Sequence, residues 1–258
     1  MSPPLTGRVA LVTGVSRRAG IGYAIARRLA GLGADLFLHH YAAHDAEQPW
    51  GADPGGPAAV LAGLPEPVRV EHLSVDLAPP DAPERLVAAA TEAFGHLDIL
   101  VCNHAVSRSD GPLGALDAAM LDRHWAVNTR ATILLTQAFA ARHDGRPGGR
   151  VVFLTSGQDL GPMRAEVAYA TSKGALASIT RTLADELADR GITLNTVNPG
   201  PVDTGYATAD DHEAVRRRFP SGRWGDPDDP ARLIAWLATD DAAWITGQVI
   251  NSEGGFRR

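Results

Sequence analysis

The stretch "RVALVTGVSRRAGIGYAIARRLAGLGA", Arg8–Ala34, decides how the rest of the chain is read. It opens on an apolar run of strand type. From Tyr23 it takes the spacing of an amphipathic helix, and "GLG" at 31–33 is a C-terminal stop. Between the two stand Gly14, Gly20 and Gly22. Glycines at a strand-to-helix turn let the backbone approach a pyrophosphate, and the helix N-terminus offers free N–H groups and a positive dipole end. Gly14 suits the sharp turn; Gly20 and Gly22 suit close approach and helix packing. The spacing is not G-x-G-x-x-G, so a flexible loop is an equal reading, and the turn alone does not establish a nucleotide site.

Outward from this unit, apolar β-rich runs alternate with longer helical patterns. The runs lie at 8–13, 35–40, 68–75, 97–102, 150–155, 192–197 and 247–252. Several are continuously apolar, as strands covered on both faces are. Helices are expected near 20–32, 81–94, 113–143, 162–189 and 228–239. Such alternation implies βαβ crossovers and a doubly wound parallel sheet, and no composition shift divides the chain. Two connections stand out. Residues 41–67 are long for a connection and hold a short helix at "PAAVLAG", and 203–227 read as irregular.

The bulk numbers fit a globular α/β chain: 258 residues, 45% hydrophobic and 21% charged. A net charge of −6 gives no reason to expect nucleic acid as a partner. The single cysteine, Cys102, rules out an internal disulfide and fits a reducing compartment. The opening "MSPPLTGR" lacks a signal-peptide core, and no apolar run approaches the roughly 20 residues of a membrane span. A soluble cytoplasmic protein is expected.

"YATSK" carries the chemistry. Tyr169 and Lys173 stand at i and i+4, one turn apart on one helix face. A free tyrosine titrates near 10, too high for efficient acid–base work at neutral pH, and a nearby ammonium favours the phenolate. The pair alone also reads as a solvated helix face. Ser156 follows the run "RVVFLT", at the strand end where open α/β sheets place ligands; simple turn chemistry is its other reading. Asn128 lies inside a helical segment, where asparagine is a poor helix former.

Taken in order, these pieces resemble the short-chain dehydrogenase/reductase family over nearly the whole chain, and within it the β-ketoacyl-(acyl carrier protein) reductase-like branch. Tyr169-x-x-x-Lys173 matches the family's catalytic pair, Ser156 its serine and Asn128 in "WAVN" its asparagine. "NPGPVDT" (198–204) is similar to the stretch that holds the nicotinamide, and "TGQVINSEGG" (246–255) to the C-terminal strand and turn. The resemblance implies a single-domain Rossmann fold, a doubly wound seven-stranded parallel sheet flanked by helices. It implies hydride transfer between a nicotinamide and a ketone or secondary alcohol. Tyr169 would exchange the proton with the carbonyl oxygen. Lys173 would lower its pKa and hold the nicotinamide ribose, Ser156 would polarise the carbonyl, and Asn128 would hold a water of the proton relay.

The same resemblance places the cofactor on Gly14, Ser16, Arg17, Arg18, Gly20, Ile21 and Gly22 of the turn. After the second strand come His40 and Tyr41; after the third, Asp76 and Leu77; after the fourth, Asn103. Beside Tyr169 and Lys173, the nicotinamide end takes Pro199, Gly200, Val202 and Thr204. The family's N-N-A-G is here Cys102, Asn103, His104 and Ala105; Cys102 reads as a small buried apolar residue and His104 as a structural histidine. His39, His40 and His44 have no accompanying ligand set, so no metal is expected. The place of the acid that selects NAD is His40, and Arg17 and Arg18 suit phosphate, so NADP(H) is favoured, with NAD(H) the alternative. Other readings are an NAD-dependent alcohol dehydrogenase and a non-catalytic cofactor sensor on the same fold. A small carbonyl or alcohol substrate is expected, free or carrier-bound, with Arg216–Arg218 able to meet an acidic one. The helices at 113–143 and 162–189 are those the family pairs into dimers and tetramers.

Overall fold

A computed structural model describes residues 2–66 and 68–258, without the side chains at 209 and 211. Met1, and Pro67 at the end of the 41–67 connection, lie outside it. The described residues form a parallel sheet of β1 (Val9–Val12), β2 (Asp35–His40), β3 (Val70–Ser74), β4 (Ile99–Cys102), β5 (Gly149–Leu154), β6 (Ile192–Asn198) and β7 (Val249–Asn251). Their order is β3-β2-β1-β4-β5-β6-β7, and each expected strand run supplies one of them. This is a Rossmann fold.

Burial follows position in the sheet. β1, β4 and β5 are buried at every residue, whereas the edge strands β3 and β7 are only partly covered. Successive residues serve opposite layers, as the strand period requires. Ala10, Val12, Ile99 and Val101 pack towards α1 (Ile21–Gly31) and α9 (Asp228–Leu237). Val9, Leu11, Leu100 and Cys102 pack towards α4 (Ala82–Phe94), α6 (Ala131–Arg142) and α7 (Val167–Ala188).

Three expectations need correction. The segment 113–143 is not one helix: α5 (Ala118–His124) starts where Asp117 accepts the Met120 N–H at 2.8 Å, and a π-helical turn, Trp125–Arg130, separates it from α6. α7 begins at Val167, because 161–166 turn along the rim of a cavity instead. The connection 41–67 holds α2 (Ala42–Ala46) besides α3 (Gly56–Ala62), and the irregular 203–227 contains α8 (Ala209–Arg216). Each misreading falls on a short element or a helix end, where tertiary contacts outweigh local periodicity.

Candidate active site

The strand order reverses between β1 and β4, and a cavity of about 1050 Å³ opens over the carboxyl ends of the strands. Open α/β sheets bind ligands at such a switch point. Gly14, Asn103, Ser156, Tyr169 and Gly200 all reach its wall.

The catalytic candidates come together. Tyr169 and Ser156 both line the cavity, and the Ser156 side chain is near enough to the phenol to favour its ionised form. Lys173 is 2% exposed; its Nζ donates to the Leu154 carbonyl at 2.8 Å and lies 5.8 Å from the Tyr169 ring centre. Burial brings the Lys173 pKa down to about 8. Burial also pushes the Tyr169 phenol above its ordinary value; the Glu166 carboxylate adds to this, and the Ser156 side chain opposes it. The direction is opposite to the depression expected from a neighbouring lysine. Desolvation wins over the lysine's charge.

Asn128 is fully buried in the π turn, and its amide is spent on structure. Its Oδ1 accepts the Val106 N–H at 2.7 Å, and its Nδ2 donates to the Val106 carbonyl and the Ser172 Oγ, each at 2.9 Å. The Thr129 Oγ1 donates to the Ser172 carbonyl at 2.9 Å. The wide turn thus bolts the loop after β4 to the second turn of α7.

At the glycine turn, Gly14 has φ +74°, and a Cβ there would come within 2.8 Å of the Asn103 amide. A Cβ on Gly22 would come within 2.4 Å of the Gly14 carbonyl. The Asn103 Nδ2 donates to the Thr13 and Gly14 carbonyls at 2.9 and 3.1 Å, so the turn is held tight and bare. Ser16, Gly20, Ile21, Tyr41, Asp76 and Leu77 line the cavity, as do Pro199, Val202 and Thr204. Asp76 takes a hydrogen bond from Arg123 at 3.2 Å.

The two arginines part company. Arg17 enters the cavity wall, donates to the Thr204 carbonyl at 2.9 Å and lies over the Trp50 ring. Arg18, expected beside the cofactor, turns away from the cavity lining and pairs with Asp53 at 2.8 Å. His40 is a second correction. Strand alternation turns it to the other sheet face, where its ring meets His72 at 3.1 Å, while His39 lines the cavity. Arg216 and Arg217 both pair with Glu213, leaving Arg218 of the three to line the cavity.

Sequence reading missed the wall supplied by the 41–67 connection. The Asp45 carboxylate takes hydrogen bonds from the Ser16 hydroxyl and, at 3.3 Å, from the Trp50 indole. Trp50 also carries the Arg108 guanidinium 5.3 Å from its ring. A lone tryptophan in a Gly/Pro-rich loop was the only signal. Ser16 and Arg18 of the turn are docking points for this connection, through Asp45 and Asp53.

His104 is structural: its Nδ1 meets the Thr13 Oγ1 at 2.7 Å and its Nε2 meets the Val127 carbonyl at 3.0 Å. His39 meets the Gly14 N–H and the Val75 carbonyl likewise. Burial, foremost, brings their pKa values down to about 3 and about 4. Unfolded histidines take up protons near 6.5, so below that pH the unfolded chain binds more protons than the folded one. Stability is therefore expected to fall as pH drops from 6.5 to 5, by up to about 2.7 kcal/mol per pH unit for the two. Urea midpoints across that window check it; a flat series refutes it.

This fold and this set of groups define a dinucleotide-binding oxidoreductase. The chain matches the family described as enoyl-(acyl carrier protein) reductase over residues 14–257. It is 43% identical over 253 residues to the uncharacterized oxidoreductase YjdA of Bacillus subtilis, covering 97% of each chain. A short chain dehydrogenase from Burkholderia cenocepacia, solved in complex with NADP, superposes with a TM-score of 0.85 at 36% identity, covering 98% of both chains. A blue fluorescent protein from a metagenomic library, solved with NADPH, gives 0.85 at 32% identity, covering 99% of this chain and 100% of that one. The chain belongs to the short-chain dehydrogenase/reductase family.

Proposed function

We propose that the protein is a carbonyl reductase that uses NADP(H), acting through the Tyr169 hydroxyl as general acid. The observation that carries this is Tyr169 and Ser156 together on the wall of a cavity that begins at the glycine turn, with buried Lys173 5.8 Å from the tyrosine ring. The cradle at Gly14 and Gly22 fits a dinucleotide, since no Cβ could stand there. The bound nicotinamide would supply or accept the hydride. Tyr169, with its phenol held above the ordinary range, stays protonated at neutral pH and can donate to a carbonyl oxygen. Ser156 orients that oxygen. The Lys173 ammonium, anchored on Leu154, faces the ring and stabilises the phenolate left after transfer. A cofactor sensor would have no use for this set.

For the choice of cofactor, Arg17 favours NADP(H): among the described residues it has no carboxylate partner, and arginine suits a phosphate. NAD(H) is the second reading, because the Asp45 carboxylate stands in the same wall and could bond a ribose hydroxyl. A panel of ketones and secondary alcohols, followed by absorbance with NADPH and NADH in parallel, tests the reading; no turnover with either sinks it. Arg17→Ala is expected to weaken NADPH about tenfold and NADH much less, and Arg18→Ala to affect neither strongly. An equal loss of both cofactors with Arg17→Ala would count against the phosphate role.

We also read the whole chain as one domain and as a cytoplasmic homo-oligomer, a dimer or tetramer. Buried, unpaired Cys102 suits a reducing compartment. Half-exposed Trp125 and Leu121 beside α7 suit subunit packing. Light scattering tests the assembly; a monomer at micromolar concentration refutes it.

A further inference from the structure

We propose that Asp110 is the positioning residue for Tyr169, capping its helix from a distant loop. The inference rests on the reading of Tyr169 given above. α7 starts at Val167, with Glu166 at the capping position, and the Glu166 side chain makes no capping bond. The first N–H groups of a helix have no partner within it and need one from outside. Here that partner comes from the loop after β4. The Asp110 Oδ2 accepts the Tyr169 N–H at 2.7 Å, and its Oδ1 accepts the Ala168 N–H at 3.0 Å and the Gly111 N–H at 2.7 Å. Its side chain is 4% exposed. Bonds to an ionised acceptor are stronger and more directional than neutral ones.

The loop is built to deliver this carboxylate. Ser109, just before it, has φ 60°, and among the described residues it is the only non-glycine in the left-handed region. Such conformations persist where the surroundings enforce them, and they cluster at functional sites. The loop is pinned at its other end by the two bonds from Asn128 to Val106. Asn128 and Asp110 thus hold one loop between the π turn and the start of α7. The carboxylate grips the peptide N–H of the tyrosine itself, so a shift at Asp110 reaches the phenol through a single residue. Misplacement of a reacting group by about 1 Å costs on the order of 100-fold in rate.

The test uses Asp110→Ala and the isosteric Asp110→Asn in the full chain. Amide hydrogen exchange on peptides spanning 166–172 is expected to lose protection in Asp110→Ala, with the rest of α7 unchanged. With a ketone that the wild type reduces, kcat is expected to fall about 10- to 100-fold in Asp110→Ala. KM and NADPH affinity should stay within about threefold, and Asp110→Asn should fall between wild type and Asp110→Ala. Unchanged exchange, unchanged kcat, or cofactor affinity and folding lost in step with kcat would each overturn the proposal. Absence of turnover in the wild type would defeat the reading of Tyr169 instead, and exchange would still decide the cap.

Discussion

Tyr169→Phe is expected to lower kcat for carbonyl reduction by about 10²- to 10⁴-fold, the usual worth of a positioned general acid. The substitution removes one oxygen and keeps the ring that packs beside Lys173. The phenol lines the cavity beside Ser156 and has no structural task. Folding and cofactor affinity should therefore hold while turnover collapses. Steady-state rates with a responsive ketone, beside NADPH titration by fluorescence, make the comparison. A variant within a few-fold of wild type would mean that another group gives the proton.

Gly22→Ala is the second large effect. The added methyl would stand 2.4 Å from the Gly14 carbonyl and 2.6 Å from the Asn103 amide. Neither can step aside. The carbonyl belongs to the turn itself, and the amide is bonded to both Thr13 and Gly14. Overpacking of this kind costs about 1–3 kcal/mol, and for a chain of this size each kcal/mol lowers Tm by roughly 2–4 °C. Displacing the Gly14 carbonyl also spoils the cradle, so cofactor affinity should drop with Tm. Gly20→Ala is the control: its backbone is extended and the nearest atom to an added Cβ is 3.2 Å away. Thermal melts with and without NADPH separate the two. Equal behaviour would show that the turn tolerates a side chain at Gly22.

The strands were legible because each is a short apolar run whose alternate residues feed opposite layers, and both facts are local. The candidate catalytic residues were picked out by the family resemblance, helped by local spacing. Tyr169 and Lys173 share a helix face by spacing alone, and Ser156 directly follows an apolar strand run. The cofactor wall was only half legible. Arg17 and Arg18 are neighbours in sequence, yet one reaches Thr204 and the other Asp53. Which does which depends on where the 41–67 connection lies, and its pattern is too weak to say. His40 went astray by one residue, enough on a strand to move a side chain to the opposite face.

The sequence by itself determined the alternation of strands and helices, a turn with glycines at 14, 20 and 22, and a tyrosine and a lysine on one helix face. These follow from periodicities and residue chemistry that act within a few positions. Tertiary structure decided the rest. It raised the Tyr169 phenol instead of lowering it, brought Asp45 and Trp50 to the cavity, and set Asp110 on the first turn of α7. Burial and distant partners make those choices, and neither is visible until segments far apart in the chain have packed together.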